Sequence, residues 1–124
     1  MKNIALILCF FMIITAQRSM AQAPMQNIEG NVNAILSKLN TALTLTDVQK
    51  TKLPDVITAF LNQRTLILPL ANSNAKTYDT KLKSLHNGFY RKLKTILTAE
   101  QYARFLELKP TDNDTTNVLS QLYY

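Results

Sequence analysis

Few side chains in this sequence could make or break a bond, and their spacing isolates them. There is one thiol, Cys9, and one imidazole, His86. A thiolate can attack or bind a metal, and an imidazole can move a proton or ligate one, but each needs a partner group within reach. Cys9 lies inside the unbroken apolar run from Ile4 to Ile14. At helical spacing His86 has Leu82, Phe89 and Tyr90 as neighbours, with no carboxylate among them. No Ser–His–acid constellation is supported, and His86 reads as a packed or half-exposed side chain. A single Cys excludes disulfide frameworks, four-cysteine zinc sites and iron–sulfur clusters, and a single His excludes HExxH. The chain has two Gly and no Gly-rich phosphate loop. Neither a metal nor a cofactor is expected, and the expected class is a non-catalytic binding or interaction protein rather than an enzyme.

The chemistry that remains is hydrogen bonding and charge. One motif occurs twice, as Leu45-Thr46-Asp47-Val48-Gln49 and Leu97-Thr98-Ala99-Glu100-Gln101. Each L-T-x-x-Q is a capping box: the Thr hydroxyl accepts from the backbone N–H three residues on, and the Gln side chain reaches back to the Thr N–H. The preceding Leu is placed to staple the start of the helix. Each box contributes on the order of 1 kcal/mol and marks where a helix begins.

Those starts need helices behind them, and the apolar spacing supplies them. Ile28, Val32, Ile35, Leu36, Leu39 and Leu43 step by three and four, which predicts a first helix over about Gln26 to Leu43. Val48, Leu53, Val56, Ile57, Phe60, Leu61, Ile67 and Leu68 predict a second over about Asp47 to Leu68, bent at Pro54, which has no N–H to give Lys50. Pro69 and Asn72-Ser73-Asn74 predict a loop. Tyr78, Leu82, Leu85, Phe89, Leu93 and Ile96 predict a third helix over about Ala75 to Ile96, with Gly88 off its apolar face. A fourth covers about Ala99 to Leu108, with Tyr102, Phe105 and Leu106 inward and Pro110 as its stop. Thr111 to Thr116 is polar linker, and Val118, Leu119 and Leu122 predict a last turn or two, capped by Asp114 or a nearby Thr. No useful alternating run implies a strand.

The two boxes are 52 residues apart. A helix of about 22 residues leaving Thr46 and one of similar length returning to Thr98 are both roughly 33 Å long. Both boxes therefore belong at the same end of one hairpin. The expected fold is all-α: a long bent helical hairpin packed with an N-terminal helix and a short C-terminal helix.

The first stretch reads as an export signal rather than as fold. Lys2 is followed by the apolar run and then by Ser19-Met20-Ala21, small residues at the two positions a signal peptidase reads, which predicts cleavage after Ala21. Eleven apolar residues reach only about 16 Å as a helix, short of the roughly 30 Å of a bilayer core. The expected organisation is residues 1–21 as signal peptide, 22–110 as the helical domain, and 111–124 as polar linker and short C-terminal tail. After cleavage 103 residues remain, with net charge +4 and no Cys. Stability then has to come from packing alone, and a homodimer interface would help.

With these motifs the sequence resembles the Spy/CpxP family of exported, all-helical bacterial proteins. The paired L-T-x-x-Q motifs carry the likeness, with Lys50 and Lys52 after the first and Tyr102 and Phe105 after the second; it spans about Val32 to Lys109. The resemblance implies a periplasmic location, a cradle-shaped antiparallel dimer, and either ATP-independent binding of unfolded envelope proteins or restraint of the periplasmic domain of an envelope-stress sensor kinase. The His- and Cys-bearing segments of the family's zinc-responsive branch are absent.

Charge singles out the third helix, where Lys76, Lys81, Lys83, Arg91, Lys92 and Lys94 face only Asp79. At about 100° per residue, Lys76, Lys83 and Lys94 share one side with Tyr90 and Arg91 beside them, while Lys81 and Lys92 flank the opposite edge of the apolar face. The stripe Lys76, Lys83, Tyr90, Arg91 and Lys94 is the candidate client-binding surface; a solvated polar face is the plainer alternative. An outer leaflet or an anionic surface polymer is a further candidate partner. Nucleic acid is not expected for an exported chain. Asn113-Asp114-Thr115 is an N-x-T sequon that has meaning only in a host glycosylating such chains.

Overall fold

The computed structural model describes residues 28–124, all helices and connections, with no strand among the described residues. The expected signal peptide, its cleavage site and the first residues of the first helix lie outside them. No helix of the described residues is long and apolar enough to cross a membrane.

Helix α1 is described over residues 28–43. It buries Val32, Ile35, Leu39 and Leu43, the i, i+3, i+4 face that the spacing predicts. Three residues later α2 (Asp47–Ile67) starts at the Thr46 cap. It is bent and contains Pro54, and its buried residues are Gln49, Leu53, Ile57, Phe60 and Leu61. Helix α4 (Ala75–Ile96) returns along α2 with Phe89 and Leu93 buried, and α5 (Ala99–Glu107) follows its own Thr98 cap and buries Phe105.

Three local expectations differ from the structure. The predicted loop at 69–74 contains a helical turn, α3 (Leu70–Ser73), because Pro69 occupies its N-cap, where a missing N–H costs nothing. Asn74 ends that turn through its N–H to the Leu70 carbonyl and starts α4 by accepting from the Thr77 N–H at 3.2 Å. Leu106 turns out to solvent, on the face of α5 away from the buried Phe105, and Val48, Leu66 and Leu68 at the two ends of α2 are exposed as well. The last turn, α6 (Ser120–Tyr123), has Leu119 at its N-cap and no side-chain cap. Asp114 instead accepts from the Thr116 N–H and hydroxyl, closing a local turn six residues upstream of the helix.

The core is one cluster. It joins the buried faces of α1, α2, α4 and α5 to Leu45, Leu97, Leu119, Leu122 and Tyr123. The tail beyond the polar linker is thus a core element, with Leu122 fully buried. Burial is densest at the capped end of the hairpin. Toward α3 the apolar face of α4 thins, and Tyr78, Leu82 and Leu85 are only half-buried.

Candidate binding surface

Both capping boxes form. Thr46 Oγ1 accepts from the Gln49 N–H at 3.3 Å, and Gln49 Oε1 accepts from the Thr46 N–H at 3.0 Å. The second box repeats this at Thr98 and Gln101 with 3.1 and 3.0 Å. Leu45 and Leu97 are buried beneath them. The hairpin brings the boxes into direct contact, as the matched helix lengths require. Gln49 Nε2 donates to Gln101 Oε1 at 2.6 Å, and Gln101 Nε2 donates to Gln49 Oε1 at 3.1 Å. The second hydrogens go to the Ile96 carbonyl from Gln49 (3.1 Å) and to the Leu43 carbonyl from Gln101 (3.2 Å). Arg104 Nη1 reaches the Ala42 carbonyl at 3.4 Å, so α5 side chains serve the carbonyls left open at the end of α1. These six motif residues clasp four helix ends together: the ends of α1 and α4 and the starts of α2 and α5.

The candidate stripe on α4 is divided among different environments. Lys76, Lys83, Arg91 and Lys94 are exposed. Lys83 and Arg91 border a shallow hollow with Thr80, Ser84, Asn87 and Gly88, which has no apolar floor. Lys94 Nζ lies 5.2 Å from the centre of the Tyr102 ring, a cation–π contact with α5. Tyr90 is half-buried, with its hydroxyl 3.5 Å from the Leu122 carbonyl. Burial, and then the neighbouring Tyr102, push its phenol pKa up.

Apolar surface and positive charge do meet elsewhere on α4. Between α2 and α4 runs an open groove of about 380 Å³. Its floor includes Val56, Phe60, Ile67, Leu85 and Phe89, and Leu66 stands at its edge 79% exposed. Ala59, Ser84 and Gly88 keep it shallow-walled; a Cβ on Gly88 would meet nothing within 4 Å. Lys81 and Lys92 are its only charged residues, and no carboxylate lines it. They stand three turns apart, about 16 Å along the helix. Helix α1 leaves this groove free because it meets α2 elsewhere, with Ile28 and Val32 beside Pro54, Thr58 and Asn62. The sequence placed Lys81 and Lys92 at the edge of the apolar face; which edge stayed uncovered was not legible from it.

His86 is half-buried, with its ring 5.4 Å from Phe60 and 5.7 Å from Tyr90. Its Nε2 is sealed from solvent and has no hydrogen-bond partner. Desolvation first, then Arg64 and Lys109, hold its pKa below the ordinary value. No group of three or more metal-ligating side chains exists among the described residues.

No protein-family model, curated protein or solved structure matches the chain.

Proposed function

We propose that this chain is a non-catalytic protein of the bacterial periplasm that holds unfolded or partly folded envelope proteins without ATP, in the manner the Spy/CpxP resemblance implies. The observation that carries this reading is the α2–α4 groove, where an apolar floor and two unopposed lysines adjoin. Weak capture of varied segments needs charge for rapid encounter and apolar surface for hold. In this reading the groove holds, while Lys76, Lys83, Arg91 and Lys94 widen the positive field that brings a client in. Tyr90, half-buried against the tail, has a supporting place rather than a contact with client.

The test is light scattering of two unrelated aggregating proteins, with and without the purified chain, at low and moderate salt. Near-stoichiometric suppression of both is expected. Replacing Lys81 and Lys92 together by Glu should weaken apparent affinity roughly five- to tenfold, about 1 kcal/mol, and invert its salt dependence. Suppression of neither protein would sink the chaperone reading and leave the docking regulator of a sensor kinase, which binds one partner and ignores denatured chains. Equal suppression by the double-Glu variant would remove the groove from the account.

A further inference from the structure

Residues 118–124 lie as a strap along the flank of α4 away from the groove. Leu119, Leu122 and Tyr123 are buried, and the Tyr123 ring stacks on Phe105 at 4.9 Å while its hydroxyl donates to the Phe105 carbonyl. The far end is fastened by two cations from two other elements. Arg64 Nε of α2 donates to the Tyr124 main-chain oxygen at 3.1 Å, and Lys109 Nζ, just past α5, lies 4.9 Å from the centre of the Tyr124 ring. The Tyr124 hydroxyl donates to the Pro110 carbonyl at 2.6 Å. His86 borders the same hollow as Tyr123 and Tyr124. Its sealed Nε2 has no hydrogen-bond partner, and burial first, then the Arg64 and Lys109 charges, hold the ring's pKa down.

We propose that residues 118–124 form an acid-released latch with His86 as its trigger: a proton on the half-buried imidazole sets a third positive charge beside Arg64 and Lys109 and opens the strap. The neutral ring suits the closed state, because a charged one would be partly desolvated there, with no acceptor at its sealed Nε2. Opening returns the imidazole to water and relieves the repulsion. It also uncovers Phe105 and the half-buried Tyr78 and Leu82, a second apolar surface on the other flank of α4 from the groove. The latch stands on the strap's own contacts and does not depend on what the groove holds.

The sign follows from linkage. The closed-state pKa of His86 is lowered from 6.5, so the closed state keeps its full advantage above that value. As pH falls below it the open fraction rises, by up to about tenfold per pH unit, until the closed state also takes the proton. Groups on α4, on the strap and in the connection before it also surround His86. On α4, Lys83 and Asp79, its one carboxylate, both border the same hollow, Asp79 two turns from His86, about 10 Å along the axis. Tyr90 on α4 and Tyr123 on the strap both have phenol pKa values raised chiefly by burial, so they keep their protons. In the connection, Asn113 is uncharged, and the Thr116 hydroxyl and N–H hold the Asp114 carboxyl below its ordinary value. Asp114 therefore stays ionised throughout the window in which His86 titrates.

Hydrogen–deuterium exchange of the purified chain at pH 7.4 and 5.2, corrected for the intrinsic pH dependence of exchange, tests this. The amides of Ser120, Leu122 and Tyr124, all hydrogen-bonded in the closed strap, should lose protection at the lower pH, by at most about twentyfold, the limit set by an imidazole with its ordinary pKa in the open state, while α2 and α4 keep theirs. His86→Phe, which keeps the ring, and His86→Gln, which keeps polarity, should each remove the response. Equal strap protection at both pH values would overturn the latch. So would a loss shared by α2 and α4, or a response that survives in either folded variant.

Discussion

Gln49 and Gln101 are the side chains on which most of the capped end depends. A primary amide offers two donor hydrogens and two acceptor positions, and each of these two uses both kinds twice: its oxygen takes the cap N–H and the other amide, and its nitrogen gives to the other amide and to a backbone carbonyl. Removing either amide strands several partners, and a stranded buried group costs about 1–3 kcal/mol. Thr46→Ala and Thr98→Ala should each lose about 0.5–2 kcal/mol, the usual value of a cap. Gln49→Ala and Gln101→Ala should each lose more, and their double mutant less than the sum, with a coupling of about 1–3 kcal/mol. Urea unfolding of the four single variants and the Gln double variant measures this, and simple additivity would show that the boxes act separately. The capping boxes themselves were legible in the sequence because a cap is a contact over three residues. The amide pair was not, because nothing local to either Gln names the other.

At the scale of the elements, two residues stand in each other's proper conformations. Thr44, in the three-residue connection between α1 and α2, has φ of 53°, a left-handed value that a β-branched side chain adopts only under strain. Its N–H still closes onto the Asn40 carbonyl at 3.0 Å, ending α1 in the manner a glycine ordinarily serves. Gly88 lies in the interior of α4, where glycine costs roughly 1 kcal/mol relative to alanine and an added Cβ meets no neighbour. Thr44→Gly and Gly88→Ala should therefore each stabilise the chain by about 0.5–1 kcal/mol, read as a higher denaturation midpoint. A loss from Thr44→Gly would mean that the Thr side chain holds a contact worth more than the strain. The helix bounds were largely readable, since α2 begins and α4 begins and ends at the predicted residues. The turn at α3 was not, because Pro-x-x-Asn is compatible with both a loop and a single helical turn, and only the docking of that turn on α4 selects one.

The whole molecule is asymmetric about its hairpin. One side of α2 and α4 meets α1, α5 and the strap, and the other is left as the groove. That asymmetry makes the strap a structural member as well as a latch. Leu122 is fully buried, so Leu122→Ala should cost about 2–5 kcal/mol and lower Tm by roughly 10 °C or more. Thermal unfolding followed by circular dichroism checks it. A shift of only a degree or two would mean that the strap adds little to the core and that its release in acid exposes little. A large shift together with the exchange result described above would place strap opening as a minor, pH-weighted excursion from a stable closed state rather than a loose end.

The sequence by itself determined what depends on neighbours along the chain. Apolar steps of three and four residues made helices, paired Thr and Gln residues marked where two of them start, and matched lengths brought those starts to one end. The tertiary structure decided what depends on partners distant in sequence. The apolar arc of α4 is wider than α2 alone can cover, and the pattern of residues states only that such an arc must meet something. Packing of α1, α5 and residues 118–124 against one side settled which apolar residues were buried, left Val56, Leu66 and Leu85 beside Lys81 and Lys92, and closed His86 in among cations drawn from two other parts of the chain.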